Sequence, residues 1–224
     1  MGSIKIDRIV RSKRRTVAIE VTREARLIVR APLRTSSEDI DRFVEKKRIW
    51  ILKKQEEAQQ RLGRTAPKRF VSGEEFLFLG HSYKLKVVDD GMATLSFDNS
   101  FLLSHAHLED ARELFINWYR DQSYDRIGER LKHYSSVTGI HFNKFRITGA
   151  KKRWGSCNTK ANIFFSWRLI MTPLPVIDYV VVHELVHIEE KSHSKVFWNR
   201  VGSILPDYRE RRRWLKDNGH LLFL

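Results

Sequence analysis

The sequence predicts an α+β fold, with a β-rich front half and a helical back half. Three observations carry this. Up to residue 104, short segments of alternating apolar residues are separated by turn residues, the pattern of strands and hairpins. From Leu108 onward, apolar residues recur at helical spacing over long stretches. Among those helical stretches lies one alternating segment, Asn162 to Leu169, which gives the back half an antiparallel or mixed sheet of its own. Strands gathered ahead of helices mark the α+β class. The change of pattern divides the chain into a basic, β-rich region with one long helix over 1–104 and a helical domain over 105–224.

Ile4 to Ile6 with Ile9-Val10 suggest a first strand. Thr16 to Val21 and Arg26 to Ala31 read as two more, around a turn near Arg23-Glu24, and Pro32 ends the second. Thr35-Ser36-Ser37-Glu38 has the form of a capping box and opens a helix to near Leu62, with Ile40, Phe43, Val44, Trp50 and Ile51 on its core face. Gly63 to Pro67 reads as a linker. Phe70 to Val88 is a hairpin, and Asp98-Asn99-Ser100 turns a second one between Thr94 to Phe97 and Phe101 to Ser104. Leu108 to Tyr134 is the longest helical pattern. Phe145 to Ile147 and Asn162 to Leu169 read as strands around Gly155 to Ala161. Thr172-Pro173 opens the next helix, Ser194 caps another, and Pro206-Asp207 precedes the last, in which Arg211-Arg212-Arg213 face solvent.

The net charge of +15 is unevenly placed. Residues 1–70 hold 20 Lys/Arg against 9 Asp/Glu, and the remainder holds 22 against 18. Such a surplus favours an anionic partner, nucleotide or nucleic acid, with Arg11, Lys13, Arg14 and Arg15 as candidate phosphate contacts. A solvated basic surface weighs equally, because no nucleic-acid motif accompanies the charge. No apolar run approaches the roughly 18 residues of a membrane span, so no membrane partner is expected. The amino terminus lacks an apolar leader, and one cysteine, Cys157, allows no internal disulfide framework. A cytoplasmic protein is the simple reading.

The chemistry concentrates in Tyr179 to Trp198, YVVVHELVHIEEKSHSKVFW. His183 and His187 stand four apart in an H-E-x-x-H pattern, so one helix face presents two imidazoles to one ion. Glu184 lies beside that face and can serve a bound water as general base without binding the metal. His193 is ten residues beyond His183, roughly 15 Å along a straight helix. It can be the third ligand only if the chain folds back, and Lys191-Ser192 offers the place. Glu189, Glu190 or a later carboxylate is the alternative. Three protein ligands and an open fourth position mark a catalytic zinc, about one per chain. A nucleophilic role for Cys157 is disfavoured, since an activated water already fills it.

HELVH and HSKVFW, preceded by RWGSC and IFFSWRLIMTPLPVIDYVV, closely resemble the YgjP-like family of predicted zinc metallopeptidases. The same core motif is similar to that of SprT-like and WLM proteases. The resemblance is strong over Lys144 to Gly219 and looser in RSKRRT and VRAPLRTS. It implies a zincin-like catalytic half in which His183, His187 and His193 hold zinc, Glu184 is the base, and the long preceding helix packs against the motif helix. It also makes Asn162 to Leu169 the best candidate for an edge strand that pairs with an extended peptide or protein substrate, with Phe164, Ser166 and Arg168 facing it. Arg153 and Trp154 would border the cleft. The sequence does not identify the group that stabilises the oxyanion, for which Arg168, Ser156 and Tyr179 are candidates. The expected reaction is peptide-bond hydrolysis. The alternatives are metal-dependent hydrolysis of nucleoside triphosphates, which would draw on Lys151 and Lys152, and a nucleic-acid-binding module with a structural metal.

Overall fold

The computed structural model describes residues 4–22, 24–64, 67–89 and 94–224, without the side chains of 60–64. The expected turn residue Arg23 and the linker residues Thr65 and Ala66 lie outside the described residues. The chain divides into two compact units, Met1–Ala66 and Pro67–Leu224. The change from strands to helices near residue 104 falls inside the second unit, where Phe76, Leu85, Phe101 and Leu103 share one core with Phe115, Tyr119 and Val181.

In the first unit, β1 (Arg8–Ser12), β2 (Ala18–Val21) and β3 (Leu27–Pro32) form a sheet in the order β1-β3-β2. β3 runs parallel to β1 and antiparallel to β2. Alternation turns Leu27, Val29 and Ala31 to one buried face. Ile40 and Val44 of α1 (Ser37–Lys46) and Ile51 of α2 (Arg48–Arg64) cover that face. Ser36 caps α1, its Oγ accepting from the Asp39 N–H at 3.1 Å. The one long helix expected here is thus two. Lys47 leaves helical geometry at φ −102°, ψ 10°, and its N–H donates to the Val44 carbonyl at 3.0 Å, tightening the last turn of α1. No proline or glycine marks that break.

In the second unit, β4 (Glu75–Phe78), β5 (His81–Val88), β6 (Leu95–Phe97) and β7 (Phe101–Ser104) form a mixed sheet in the order β4-β5-β7-β6. The long helix α3 (Ala111–Thr138) covers it, with Phe115 stacked on Phe76 at 4.2 Å between ring centroids. Tyr119 stacks on Trp167, and its hydroxyl donates to the Leu77 carbonyl at 2.7 Å, so the one polar atom of a buried ring is satisfied. α3 also packs against α4 (Leu174–Glu189), the motif helix, as the resemblance implied. Arg130 of α3 grips Asp178 of α4 with two hydrogen bonds, 2.5 and 3.1 Å. Gly80 makes a close approach to the start of α4. Its φ is +84°, and a Cβ there would lie 2.7 Å from Pro173 Cγ.

A third sheet carries β8 (Lys144–Thr148), β9 (Gly155–Cys157) and β10 (Asn162–Ser166) in the order β8-β10-β9. β10 is parallel to β8 and antiparallel to β9. This corrects the sequence reading of Asn162 to Leu169 as a substrate-pairing edge: both edges of β10 are already occupied. The strand is also shorter than expected, because Trp167–Met171 turn into a 3-10 helix. The two outer edges of this sheet belong to β8 and β9, and β9 is the one that packs on α4. Two helices, α5 (Lys195–Ile204) and α6 (Tyr208–Asn218), complete the unit. Among the described residues no helix is long and apolar enough to cross a membrane.

Candidate metal centre

α4 is buried on nearly every side by Val180, Val181, Val182, Leu185 and Val186, which fixes the outlook of its polar residues. His183 and His187 project from one face. The helix stops at Glu189 because Glu190 is extended, at φ −112° and ψ 99°. Lys191 stabilises this end: its Nζ donates to the carbonyls of His187 and Ile188, both at 2.9 Å. The chain then reverses. The Ser194 N–H donates to Ser192 O at 2.8 Å, and Ser194 Oγ accepts from the Phe197 N–H at 3.3 Å to start α5. The reversal swings His193 back over the ligand face, where it completes the triad.

The three Nε2 atoms converge, at 3.2 Å for His183–His187, 3.1 Å for His187–His193 and 3.0 Å for His193–His183. Nitrogens about 2.0–2.1 Å from one tetrahedral ion would lie about 3.3 Å apart, so the donor set fits a divalent metal. The tautomer fits as well. His187 Nδ1 donates to the Glu190 carbonyl at 3.0 Å, which leaves the Nε2 lone pair aimed at the common point. Burial, and then the neighbouring His187 and His193, push His183 down to about 3, so its imidazole stays neutral and ready to ligate. Phe197 and Trp198 wall the triad, with Trp198 stacked on His193 at 5.5 Å.

Glu184 is not part of this nitrogen cluster. Its side chain is 5% exposed and lies against Gly155 of β9. Burial pushes its carboxyl up to about 8, and Arg153 opposes the shift. A proton-transfer group held near neutrality suits general acid–base work. A cleft of about 250 Å³ opens beside it, lined by Trp154, Tyr179, His183, Glu184, Arg212 and Leu215. A second cleft, about 370 Å³, is lined by Arg153, Ser156, Cys157 and Phe164 among others.

Of the residues singled out in sequence, Arg153, Trp154, Phe164, Ser156 and Tyr179 line these clefts. Ser166 and Arg168 do not. Ser166 is buried, its Oγ donating to the Ala150 carbonyl at 2.8 Å. Arg168 is buried against Trp167, with NH1 donating to the Gly149 carbonyl at 3.1 Å. Both brace the loop that precedes β9. Cys157 is half-buried, and burial raises its thiol pKa, which does not suit a nucleophile. Lys151 and Lys152 are exposed on the same loop. Arg11, Lys13, Arg14 and Arg15 belong to the first unit, where Arg11 NH1 donates to the Thr35 carbonyl at 2.6 Å. Sequence reasoning missed Arg212, the capping role of Lys191, and the contact of Gly155 with Glu184. Only the glycine in RWGSC hinted at the last.

A family model described as YgjP-like, metallopeptidase domain, matches residues 15–218. The chain belongs to the YgjP-like family. Among curated proteins it is similar to the UTP pyrophosphatase of Escherichia coli (strain K12), 30% identical over 84 residues, 36% of this chain and 47% of that protein. The YgjP-like chain thus spans about half the length of the curated relative it matches. Among solved structures it is similar to the metallopeptidase zymogen abylysin of Pyrococcus abyssi, with a TM-score of 0.37 and 22% identity over 40% of this chain and 92% of that one.

Proposed function

We propose that this YgjP-like protein is a zinc-dependent peptidase in which His183, His187 and His193 hold one zinc and Glu184 is the general base. The observation that supports a peptide substrate is the free edge of β9 beside Glu184. The β9–β10 ladder is bracketed by the Ser166 N–H donating to Trp154 O at 2.8 Å and the Asn158 N–H donating to Asn162 O at 3.0 Å. In an antiparallel pair the hydrogen-bonding residues alternate, so Gly155 and Cys157 turn their backbone groups outward. A substrate strand paired there would be carried past the Glu184 carboxyl that Gly155 touches.

Zinc held by His183, His187 and His193 would supply Lewis acidity and would acidify a water to near neutrality. The Glu184 carboxylate takes the proton of the attacking water and returns it to the leaving amine. Burial raises this carboxyl in the metal-free chain, and a dication beside it would draw it back toward the ionised, proton-accepting form. Tyr179, pushed up to about 12 by burial, keeps its proton and can donate a hydrogen bond to the developing oxyanion.

A second reading, hydrolysis of nucleoside triphosphates, is favoured by the similarity to the UTP pyrophosphatase and by Arg153 and Arg212 at the two clefts. Charge that builds on phosphoryl oxygens calls for such cations. One experiment separates the readings. The zinc-loaded protein is assayed on peptide, unfolded-protein and nucleotide panels, with Glu184→Gln as the blank. A Cys157→Pro variant removes one outward edge N–H and should impair only peptide cleavage. Glu184-dependent release of phosphate or pyrophosphate, with no peptide cleaved, would replace the first reading by the second.

A further inference from the structure

The arginine triple of α6, read in sequence as one solvent-facing run, divides into three fates. Arg211 is consumed internally: its Nε donates to Asp207 at 2.9 Å and its NH1 to the Pro175 carbonyl at 3.0 Å. Arg213 is exposed. Arg212 turns to the metal cleft, with its guanidinium 4.7 Å over the ring of Trp198. Trp198 in turn stacks on His193 and, at 5.5 Å and 16°, on Tyr208. Among the described residues no carboxylate pairs with Arg212.

A guanidinium laid on an aromatic face keeps its in-plane N–H fork free, and that fork matches the two oxygens of a carboxylate or phosphate. The stack limits the rotamer freedom of this exposed side chain, which lowers the cost of ordering it on binding. Arg212 shares its cleft with His183 and Glu184, so the group it would bind lies next to the reacting centre. At about 250 Å³ the cleft is below the roughly 300–1,000 Å³ of sites for drug-sized ligands, and it suits one small group.

We propose that Arg212 is a substrate-positioning residue that binds an oxyanion, carboxylate or phosphate, carried beside the bond that is cleaved. This rests on the hydrolase reading above and narrows it. A peptide substrate would present a free terminal carboxylate close to the scissile bond. A nucleotide substrate would present a neighbouring phosphate.

Binding of inorganic phosphate and of acetate is measured by calorimetry at fixed ionic strength, on zinc-loaded and on metal-free protein. Arg212→Met should weaken binding about 10-fold or more, the usual scale of charge-assisted hydrogen bonds, in both forms. Arg213→Met loses the same charge from the same helix and should change it less than about 2-fold. Arg212→Lys should fall between, because it keeps the charge and loses the fork. Equal weakening in Arg212→Met and Arg213→Met, or none in either, would overturn the proposal. Zinc content measured on each variant shows that the triad is intact. The metal-free titration decides about Arg212 even if the hydrolase reading fails. Substrate pairs then identify the source: a peptide with a free or amidated carboxyl end, and a nucleoside triphosphate. For the class that is cleaved, Arg212→Met should raise KM for the anionic member with little change in kcat. A KM unchanged for every anionic substrate also sinks the idea.

Discussion

Gly155 and Glu184 are in contact so close that any side chain at 155 would displace the carboxyl. A Cβ built on Gly155 would lie 2.6 Å from both Cγ and Oε1 of Glu184. The carboxyl is buried, so it cannot simply swing aside into solvent. Gly155→Ala should therefore displace the base while leaving the histidines in place. Turnover is expected to fall roughly 100-fold, the scale of an ångström misplacement in an active site. Zinc content should stay at the wild-type value. Loss of zinc together with turnover would mean that Gly155 supports the triad instead.

Metal analysis tests the ligand set. His183→Ala and His187→Ala should each lose most of the bound metal, because removing one of three ligands leaves two. His193→Ala should do the same, since its Nε2 closes the triangle at 3.0 and 3.1 Å. Full retention in His193→Ala would pass the third position to a carboxylate.

Glu184→Gln should retain metal and lose roughly 10²–10⁴ in turnover, the usual general-base contribution. The same variant has a signature in metal-free protein. A glutamate ordinarily near 4.5 is pushed up to about 8 in the fold. Between these values the folded chain holds a proton that the unfolded chain has released, so stability falls as pH rises. His183, pushed down from 6.5 to about 3, acts oppositely: below 6.5 the unfolded chain takes up a proton that the fold refuses. From pH 6.5 to 8 only the Glu184 effect remains of the two. The unfolding free energy of metal-free wild type, from urea titrations, should drop across that window by up to about 1.4 kcal/mol per pH unit. Glu184→Gln should not show the drop, and parallel curves for the two proteins would refute the burial argument.

Arg130→Met leaves Asp178, 7% exposed, with the Tyr134 hydroxyl and with Arg211 at 3.8 Å, neither of which replaces the paired guanidinium. Stranding a buried carboxylate costs about 3 kcal/mol. Denaturant unfolding should report that loss, and adding Asp178→Asn should recover part of it. A loss below about 1 kcal/mol in the single variant would show that Arg211 or solvent replaces the lost partner.

The basic first unit invites a salt test. If Lys13, Arg14 and Arg15 contact phosphates, affinity for a single-stranded oligonucleotide should fall roughly 20-fold between 50 and 200 mM salt, the scale of three contacts released from a single strand. Charge reversal at these positions should flatten the slope without changing zinc content. Binding that ignores salt would leave the charge as a solubility feature.

The parts of the site fixed by covalent spacing were legible in the sequence. His183, Glu184 and His187 follow from four consecutive steps of one helix. His193 was legible only as a choice, because its position depends on Glu190 leaving helical geometry and Lys191 capping the end. Strand order was not legible. The alternation in Asn162 to Ser166 shows a strand, but nothing local says that β8 and β9 flank it on both sides. For the same reason Ser166 and Arg168 passed for site residues: their partners, Ala150 and Gly149, lie 16 and 19 residues away in the chain. Arg212 was hidden between two arginines of identical type, which only the packing of α6 distinguishes.

β9 is three residues long, and its ends are closed off. Asn158 folds the chain immediately after it, its Oδ1 accepting from the N–H groups of Lys160 and Asn162, both at 3.0 Å. An open strand edge is a template for any chain that meets it, including another copy of the same protein. A stub of this length offers too few pairing groups to nucleate a continuous sheet between molecules, yet enough to orient one or two residues of a visiting chain. The protein can therefore keep a receptive edge at its reactive centre without becoming prone to self-association there.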